Sequence, residues 1–299
     1  MLSIVAVVYN MRREAARTLA TLSPAAQRDV EADDYEVIVI DNGSREPLDP
    51  AVVEAHGRNF SHHVRDTASP SPAGAVNFGV ARARGEHVAV IVDGARMVSP
   101  GIVAETLAAL RAFENGVVCA LAFHLGPDAQ KFSMLKGYGR DREDELLAAT
   151  PWQEDGYSLF DISCLAPSSA TGFLNGLPTE ASWIAMRRQM FLDLGGFDER
   201  FTSPGGGLVN QHFLNTALAH ADARPVTLLG EATFHQFHGG VATNAPPDRR
   251  PHKMYDEEYA AITGHAYSKP KPRSLHYFGT MPLRARRFVL DRPDETAPA

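Results

Sequence analysis

The stretch His87 to Arg96, HVAVIVDGAR, constrains this chain more than any other. Its apolar, β-rich run lacks the alternation of a strand with one wet face, so it reads as a strand covered on both sides, as in a parallel sheet flanked by helices. The run stops abruptly at Asp93 and Gly94, a carboxylate followed by the residue that best tolerates a sharp turn. Open α/β sheets keep their ligand chemistry at the carboxyl ends of such strands. Asp93 is therefore the centre of the candidate site.

The preceding chain repeats the same unit. Ser3 to Val8 is a buried strand bounded by Tyr9-Asn10, and Glu14 to Leu22 a helix that Ser23-Pro24 terminates. Tyr35 to Ile40 is a second buried strand ending in Asp41-Asn42-Gly43-Ser44, and Phe60 to Val64 a weaker third. A helix from Ala73 to about Arg84, closed by Gly85, leads into the 87–92 strand; a helix (Pro100 to Phe113) and a strand (Val117 to Phe123) follow. This rhythm specifies an α/β fold with a doubly wound, mostly parallel sheet and right-handed crossovers. Tyr9, Asn10, Asp41, Asn42 and Asp93 then fall on one edge of the sheet and face one crevice.

After residue 124 the character changes. Leu125 to Gly139 is loop-rich, Arg142 to Ala149 is a charged helix, and Ser163 to Thr179 is a Ser/Thr/Gly/Pro segment. Ser182 to Met186 reads as a strand and Arg188 to Leu194 as a short helix, leading into GGFDE and the flexible Pro204-Gly205-Gly206-Gly207. Next come a helix from Leu208 to about Ala219 and a strand pair, Val226 to Leu229 with Ala232 to Gln236, reaching His238-Gly239-Gly240. From Thr243 onward Pro and Arg are dense, apart from a helix at Tyr255 to Ile262, and the last ten or so residues are expected to be disordered.

Composition excludes some partners. Twenty-nine basic against thirty-six acidic residues give a net charge of −7, and no basic cluster before the tail is dense enough to follow a phosphate backbone, so nucleic acid is not expected. The first apolar run has no basic leader and is too short to cross a bilayer, so it reads as a strand, with no transmembrane segment expected. The two cysteines, Cys119 and Cys164, fit a reducing compartment, and a cytoplasmic location is the expectation.

Together the motifs resemble the family 2 glycosyltransferases of the GT-A fold, a Rossmann-like nucleotide-diphospho-sugar transferase architecture. SIVAVVYN is similar to that family's opening strand and YEVIVIDNGS to its second strand with the nucleotide-contacting Asp. GAVNFGVARARGEHVAVIVDGA resembles the stretch that ends in the metal-binding Asp-x-Asp, and FLDLGGFDERF the signature before the acceptor-side helix. The resemblance covers roughly residues 1–124 and 180–240. It implies a domain at 1–240, with a nucleotide-binding half (1–124) and an acceptor-side half (125–240), and a C-terminal extension or lid at 241–299.

The resemblance further implies that Asp41 holds the nucleotide base with Tyr9 and Asn10 beside it, and that Asn77 lies near the ribose or diphosphate. Asp93 would reach the diphosphate through a divalent cation, and His235 or His238 in TFHQFHGG would supply a late metal ligand. Two departures stand out. Ala95 occupies the position of the second Asp of Asp-x-Asp, so Mg2+ or Mn2+ would bind weakly or only with nucleotide, through Asp93, imidazole, phosphate oxygens and water. Where the family carries a Glu-Asp pair with the catalytic base, this chain has GGGLVNQHF. His212 can serve as base because imidazole titrates near neutrality, and Glu180 in LPTEASW is the competing candidate.

The implied reaction moves a sugar from a nucleotide-diphosphate sugar to an unidentified acceptor hydroxyl (saccharide, lipid-linked or small molecule), with inversion. Arg96, three residues past Asp93, would add fixed positive charge near the phosphates. GGFDE reads as turn and capping chemistry rather than catalysis. One alternative is a nucleotide-sugar-binding protein whose catalysis is weakened or lost, suggested by Ala95 and the absent Glu-Asp pair. A nucleotidyltransferase is disfavoured, because YNMRRE after the first strand lacks the glycine-rich phosphate loop.

Overall fold

The computed structural model describes residues 1–67, 69–180, 182–240, 244, 251–271 and 274–289. Its first half follows the expected alternation: β1 (Leu2–Val8), α1 (Arg12–Leu22), β2 (Tyr35–Asp41), α2 (Pro50–Glu54), β3 (Phe60–Val64), α3 (Ala73–Val80) and β4 (His87–Ile91). There follow β5 (Arg96–Val98), α4 (Ile102–Ala112), β6 (Gly116–Leu125), α5 (Gln130–Ser133), α6 (Arg140–Ala148) and β7 (Ser163–Leu165). The remainder comprises β8 (Ile184–Arg187), α7 (Arg188–Asp193), α8 (Val209–Ala219), β9 (Arg224–His235), α9 (His252–Thr263) and β10 (His276–Phe278).

Among the described residues the strands form one sheet in the order β10-β9-β6-β8-β4-β1-β2-β3, with β5 on β9 and β7 on β6. Strands β3, β2, β1 and β4 run parallel, and β8 enters antiparallel between β4 and β6. The order reverses between β1 and β4, which puts a crevice beyond their carboxyl ends. Every residue of β1 and β2 is buried, and alternate side chains serve opposite faces. Leu2, Ile4, Ala6 and Val8 join the core under α1 and α4; Val5 and Val7 join the core under α3, α7 and α8.

A third core is aromatic and carries the C-terminal residues. Phe123, Phe160, Phe173 and Phe234 pack with Phe288, whose ring stands 4.8 Å from that of Phe123. Described residues of the 241–299 region thus pack against the body. The Tyr255 and Tyr259 side chains of α9 are buried, Tyr259 in the core of α8, and β10 extends the sheet alongside β9. Residues 241–243, 245–250, 272–273 and 290–299, the last of them where a disordered end was expected, lie outside the described residues.

Two further expectations are corrected. The strand pair at 226–236 is one strand, β9, whose register against β6 shifts between Cys119 and Leu121. Gly230 takes a left-handed φ of 71° there, and a Cβ would stand 2.2 Å from Pro282 Cδ, so the bulge lets the 280–282 segment pass. Helix α3 ends at Val80, short of Arg84, whose backbone and guanidinium both bond the Glu36 carboxylate of β2.

Candidate active site

Past β4 the chain turns sharply at Asp93-Gly94 and re-enters the sheet as β5. A Cβ on Gly94 would stand 2.8 Å from Val8 Cγ2 and 3.0 Å from Val7 O, so only glycine lets the turn lie against β1. The Ala95 N–H donates to Asp93 Oδ1 at 3.0 Å, which leaves Oδ2 to face the crevice groups. Strand β5 then pairs antiparallel with β9, and this register sets Arg96 opposite His235. A residue 142 positions away in sequence thereby meets Asp93: His235 Nε2 lies 3.0 Å from Asp93 Oδ2. His238 closes the group, its Nε2 3.5 Å from Asp93 Oδ2 and 3.1 Å from His235 Nε2.

Electrostatics follow from that geometry. Burial alone would raise the Asp93 carboxyl, but the charge of His238 and the close approach of the two imidazoles outweigh it and hold the group well below the usual carboxylate range. Burial, reinforced by the charge of Arg96, pushes His235 down to about 4, so it is neutral at physiological pH. His238 is also buried, yet Asp93 outweighs that cost and raises it. Nearly buried Arg96 bridges the site, with Nε 3.9 Å from Asp93 Oδ2 and Nη2 3.7 Å from Glu180 Oε1. Glu180 is therefore brought to the Asp93 centre.

His212 is not brought there. It lines a separate cleft of about 390 Å³ with Asn77, the 194–200 segment and Thr216, and its ring lies 5.3 Å from that of Phe201. Burial lowers His212 although Asp198 opposes it. Asn77 is consumed by the GGFDE turn: its Nδ2 donates to Phe197 O at 2.8 Å and Glu199 Oε1 at 2.9 Å, and its Oδ1 accepts from Phe197 N at 2.9 Å. Asn77, expected near ribose or diphosphate, thus has every polar atom of its side chain paired with this turn. Asp198 is likewise satisfied, by Arg200.

Asp41 also supports the site from beneath rather than lining it. It is 0% exposed, and its oxygens accept from Ser44 N at 2.8 Å and Leu48 N at 3.3 Å, so it shapes the loop after β2 and has no surface to offer a base. Asn10, at a left-handed φ of 54°, joins that loop: its N–H donates to Ser44 Oγ at 2.8 Å and its Oδ1 accepts from Arg45 N at 2.9 Å. Tyr9 beside it is 42% exposed, a free aromatic face at the end of β1.

The sequence profile of glycosyl transferase family 2 matches residues 3–164, over half of the chain. The chain belongs to glycosyl transferase family 2. No curated protein matches this chain in sequence. Among solved structures, it is similar to S. aureus TarS 1-349 in complex with UDP-GlcNAc (TM-score 0.54, 16% identity, 90% of this chain and 68% of that one). It is also similar to the mannosyltransferase PcManGT from Pyrobaculum calidifontis in complex with GDP-Man and Mn2+ (TM-score 0.53, 15% identity, 90% and 65%). Against another structure of TarS 1-349 the alignment spans 79% of this chain but 60% of that one, with a TM-score of 0.51 and 16% identity. At these identities the likeness is one of fold, and the fold is GT-A.

The chain brings together a group of side chains that could hold a divalent cation. Asp93 Oδ2 and the two imidazole nitrogens lie within 4.8 Å of one another, and these nitrogen and oxygen donors suit a first-row divalent ion. Further residues support the site, and of these Gln130 and Glu143 carry no signal in the sequence. Gln130 bonds His235, and Asn42 takes an Arg65 Nη1 bond at 2.8 Å while donating to Ser71 O at 3.0 Å. Glu143 of α6, fully buried and pushed up to about 7 by that burial, accepts from Phe237 N at 2.7 Å and so fixes the chain one residue before His238. Their pairings span 94 and 105 residues for Glu143 and Gln130, so no local pattern announces them. Among the described residues no helix is long and apolar enough to cross a membrane.

Proposed function

We propose that this family 2 transferase moves a hexosyl group from a nucleoside-diphosphate sugar to an acceptor hydroxyl with inversion, at the Asp93 centre. The observation that carries the reading is the convergence of Asp93, His235 and His238 at the switch point of a GT-A sheet. These three residues would hold a divalent cation, which when bound neutralises charge developing on the departing diphosphate. Tyr9 offers the exposed face on which a nucleoside base stacks, and the loop braced by Asp41 and Asn10 positions it. Arg96, held between Asp93 and Glu180, contributes fixed charge to the leaving group.

Glu180 is the better candidate for the base that takes the acceptor proton, because Arg96 ties it to Asp93 whereas His212 lines the other cleft. Attack by the activated hydroxyl on the face opposite the departing diphosphate inverts the anomeric carbon. TarS and PcManGT, with UDP-GlcNAc and GDP-Man in their structures, make these the first donors to try. A cytoplasmic setting fits Cys119, buried in β6 with its thiol pushed up to about 12.

The alternative of a binder without catalysis rests on Ala95, which is fully buried where a second acid was expected, and on Asn210-Gln211 near the expected Glu-Asp pair. Incubation with UDP-, GDP- and dTDP-sugars and Mn2+ separates the two readings. Slow donor hydrolysis that EDTA abolishes and Glu180→Gln leaves bound but unreacted supports transfer; donor binding with no turnover of any donor supports the binder.

A further inference from the structure

The side chain of Gln130 touches the metal-ligand candidates only through His235, yet the hydrogen bonds around it fix which nitrogen of that imidazole carries a proton. Backbone groups, whose donor and acceptor roles are unambiguous, anchor the assignment at both ends. The N–H groups of Gly239 and Gly240 both donate to Asn244 Oδ1, at 3.1 and 3.0 Å, so the other terminus of Asn244 is its NH2. That NH2 donates to Gln130 Oε1 at 3.0 Å, while Gln130 Nε2 donates to the backbone carbonyl of His235 at 2.8 Å. The atom facing His235 Nδ1 at 2.9 Å is therefore an acceptor, Gln130 Oε1. Neutral His235 must then carry its hydrogen on Nδ1 and turn the lone pair of Nε2 toward Asp93 Oδ2 and His238 Nε2.

A lone pair aimed at a carboxylate oxygen 3.0 Å away is unfavourable unless positive charge sits between them. The arrangement costs nothing when a cation takes that nitrogen, and an imidazole ligand is ordinarily braced through its other nitrogen in this way. Gln130 is fully buried and Asn244 nearly so, hence neither side chain is free to swing and release the ring. Two nitrogens with one carboxylate oxygen form a softer donor set than the oxygen shells magnesium prefers.

The geometry points to Gln130, braced by Asn244, as a positioning residue that commits His235 to the Nδ1–H form, so that the site takes a nitrogen-accepting transition ion such as Mn2+ in preference to Mg2+. This rests on the proposed cation at Asp93, and the test separates the two. Long-range 15N–1H NMR of histidine-labelled, metal-free full-length protein reads the tautomer of His235 directly. Electron paramagnetic resonance of Mn2+, alone and with UDP or GDP, with Mg2+ as competitor, reads affinity and preference. The expected results are an Nδ1–H His235, Mn2+ preferred over Mg2+ by at least about tenfold, and a loss of Mn2+ affinity of about 10- to 100-fold in Gln130→Met, with a smaller loss in Asn244→Ala. An Nε2–H His235 in the wild type overturns the inference, as does unchanged Mn2+ affinity in both variants or equal affinity for Mg2+. A wild type that binds no Mn2+ even with either nucleotide overturns the cation-centred reading itself. If Gln130→Met fails to fold, the wild-type tautomer and Asn244→Ala still decide.

Discussion

Two regions of this molecule bring polar residues together, and they do so in opposite ways. Around His212, the groups satisfy one another: Asn77 spends its amide on the Phe197 backbone and Glu199, and Asp198 is held by Arg200. Around Asp93, groups from two distant parts of the chain point polar atoms at one another that a proton or a cation between them reconciles. Polar residues that are already paired hold a shape; ligand atoms aimed at a common point are poised to bind. The contrast places the proposed chemistry at Asp93 and makes the GGFDE cleft a scaffold.

The largest test of that contrast is Asp93→Asn, which keeps the shape and removes the charge: donor turnover should fall by about a thousandfold, with Mn2+ affinity falling alongside. Measured in the same assay, Glu180→Gln should lower kcat by about a hundredfold or more while leaving donor affinity intact, and His212→Ala should change kcat by no more than about threefold. The reverse ranking would move the base to the other cleft. Asn77→Ala belongs to the scaffold side. It should lower stability by about 1–3 kcal/mol in chemical denaturation, because the Phe197 N–H and C=O lose their partner, with kcat of the folded fraction little changed.

A smaller, pH-dependent effect is expected at Glu231, which is buried against Ser99 and Tyr157, where β9 meets the turn into α4. Burial raises its carboxyl from 4.5 to about 7. Below 4.5 both folded and unfolded chains hold the proton; between 4.5 and 7 only the folded chain does, so stability falls as pH rises through that window. Urea denaturation across the window should show Glu231→Gln losing less stability than the wild type, by about 3 kcal/mol at the upper end, without any change in Mn2+ binding. A change in metal affinity would mean that the scaffold and the site are less separate than the contrast holds.

How far the sequence foretold this follows the range of the interactions. The β1, β2 and β4 runs are legible to within a residue or two because burial on both faces leaves an unbroken apolar signature, and Asp93 is legible because that signature stops there. The three-residue strands β5, β7 and β10 are not legible, since their pairing is imposed by β9 and β6. Gly230-Glu231 mimics a hairpin turn, and only the passage of Pro282 and the burial of Glu231 show it to be a bulge in a continuous strand. In the site, the family resemblance points to His235 and His238. It does not point to Gln130, because nothing near it in sequence says that a strand 105 residues later will present an imidazole to it. Asp41 shows the converse: its place at a strand end is legible, whereas its full burial and its bonds to Ser44 N and Leu48 N are not.

The central claim is that the cation and the donor diphosphate meet at Asp93. Anomalous scattering at the manganese edge from crystals grown with Mn2+ and UDP or GDP tests it most directly. The account predicts one strong peak between Asp93 Oδ2, His235 Nε2 and His238 Nε2, with the diphosphate against it and near Arg96. A diphosphate seated in the Asn77–His212 cleft, with no peak at Asp93, would contradict it.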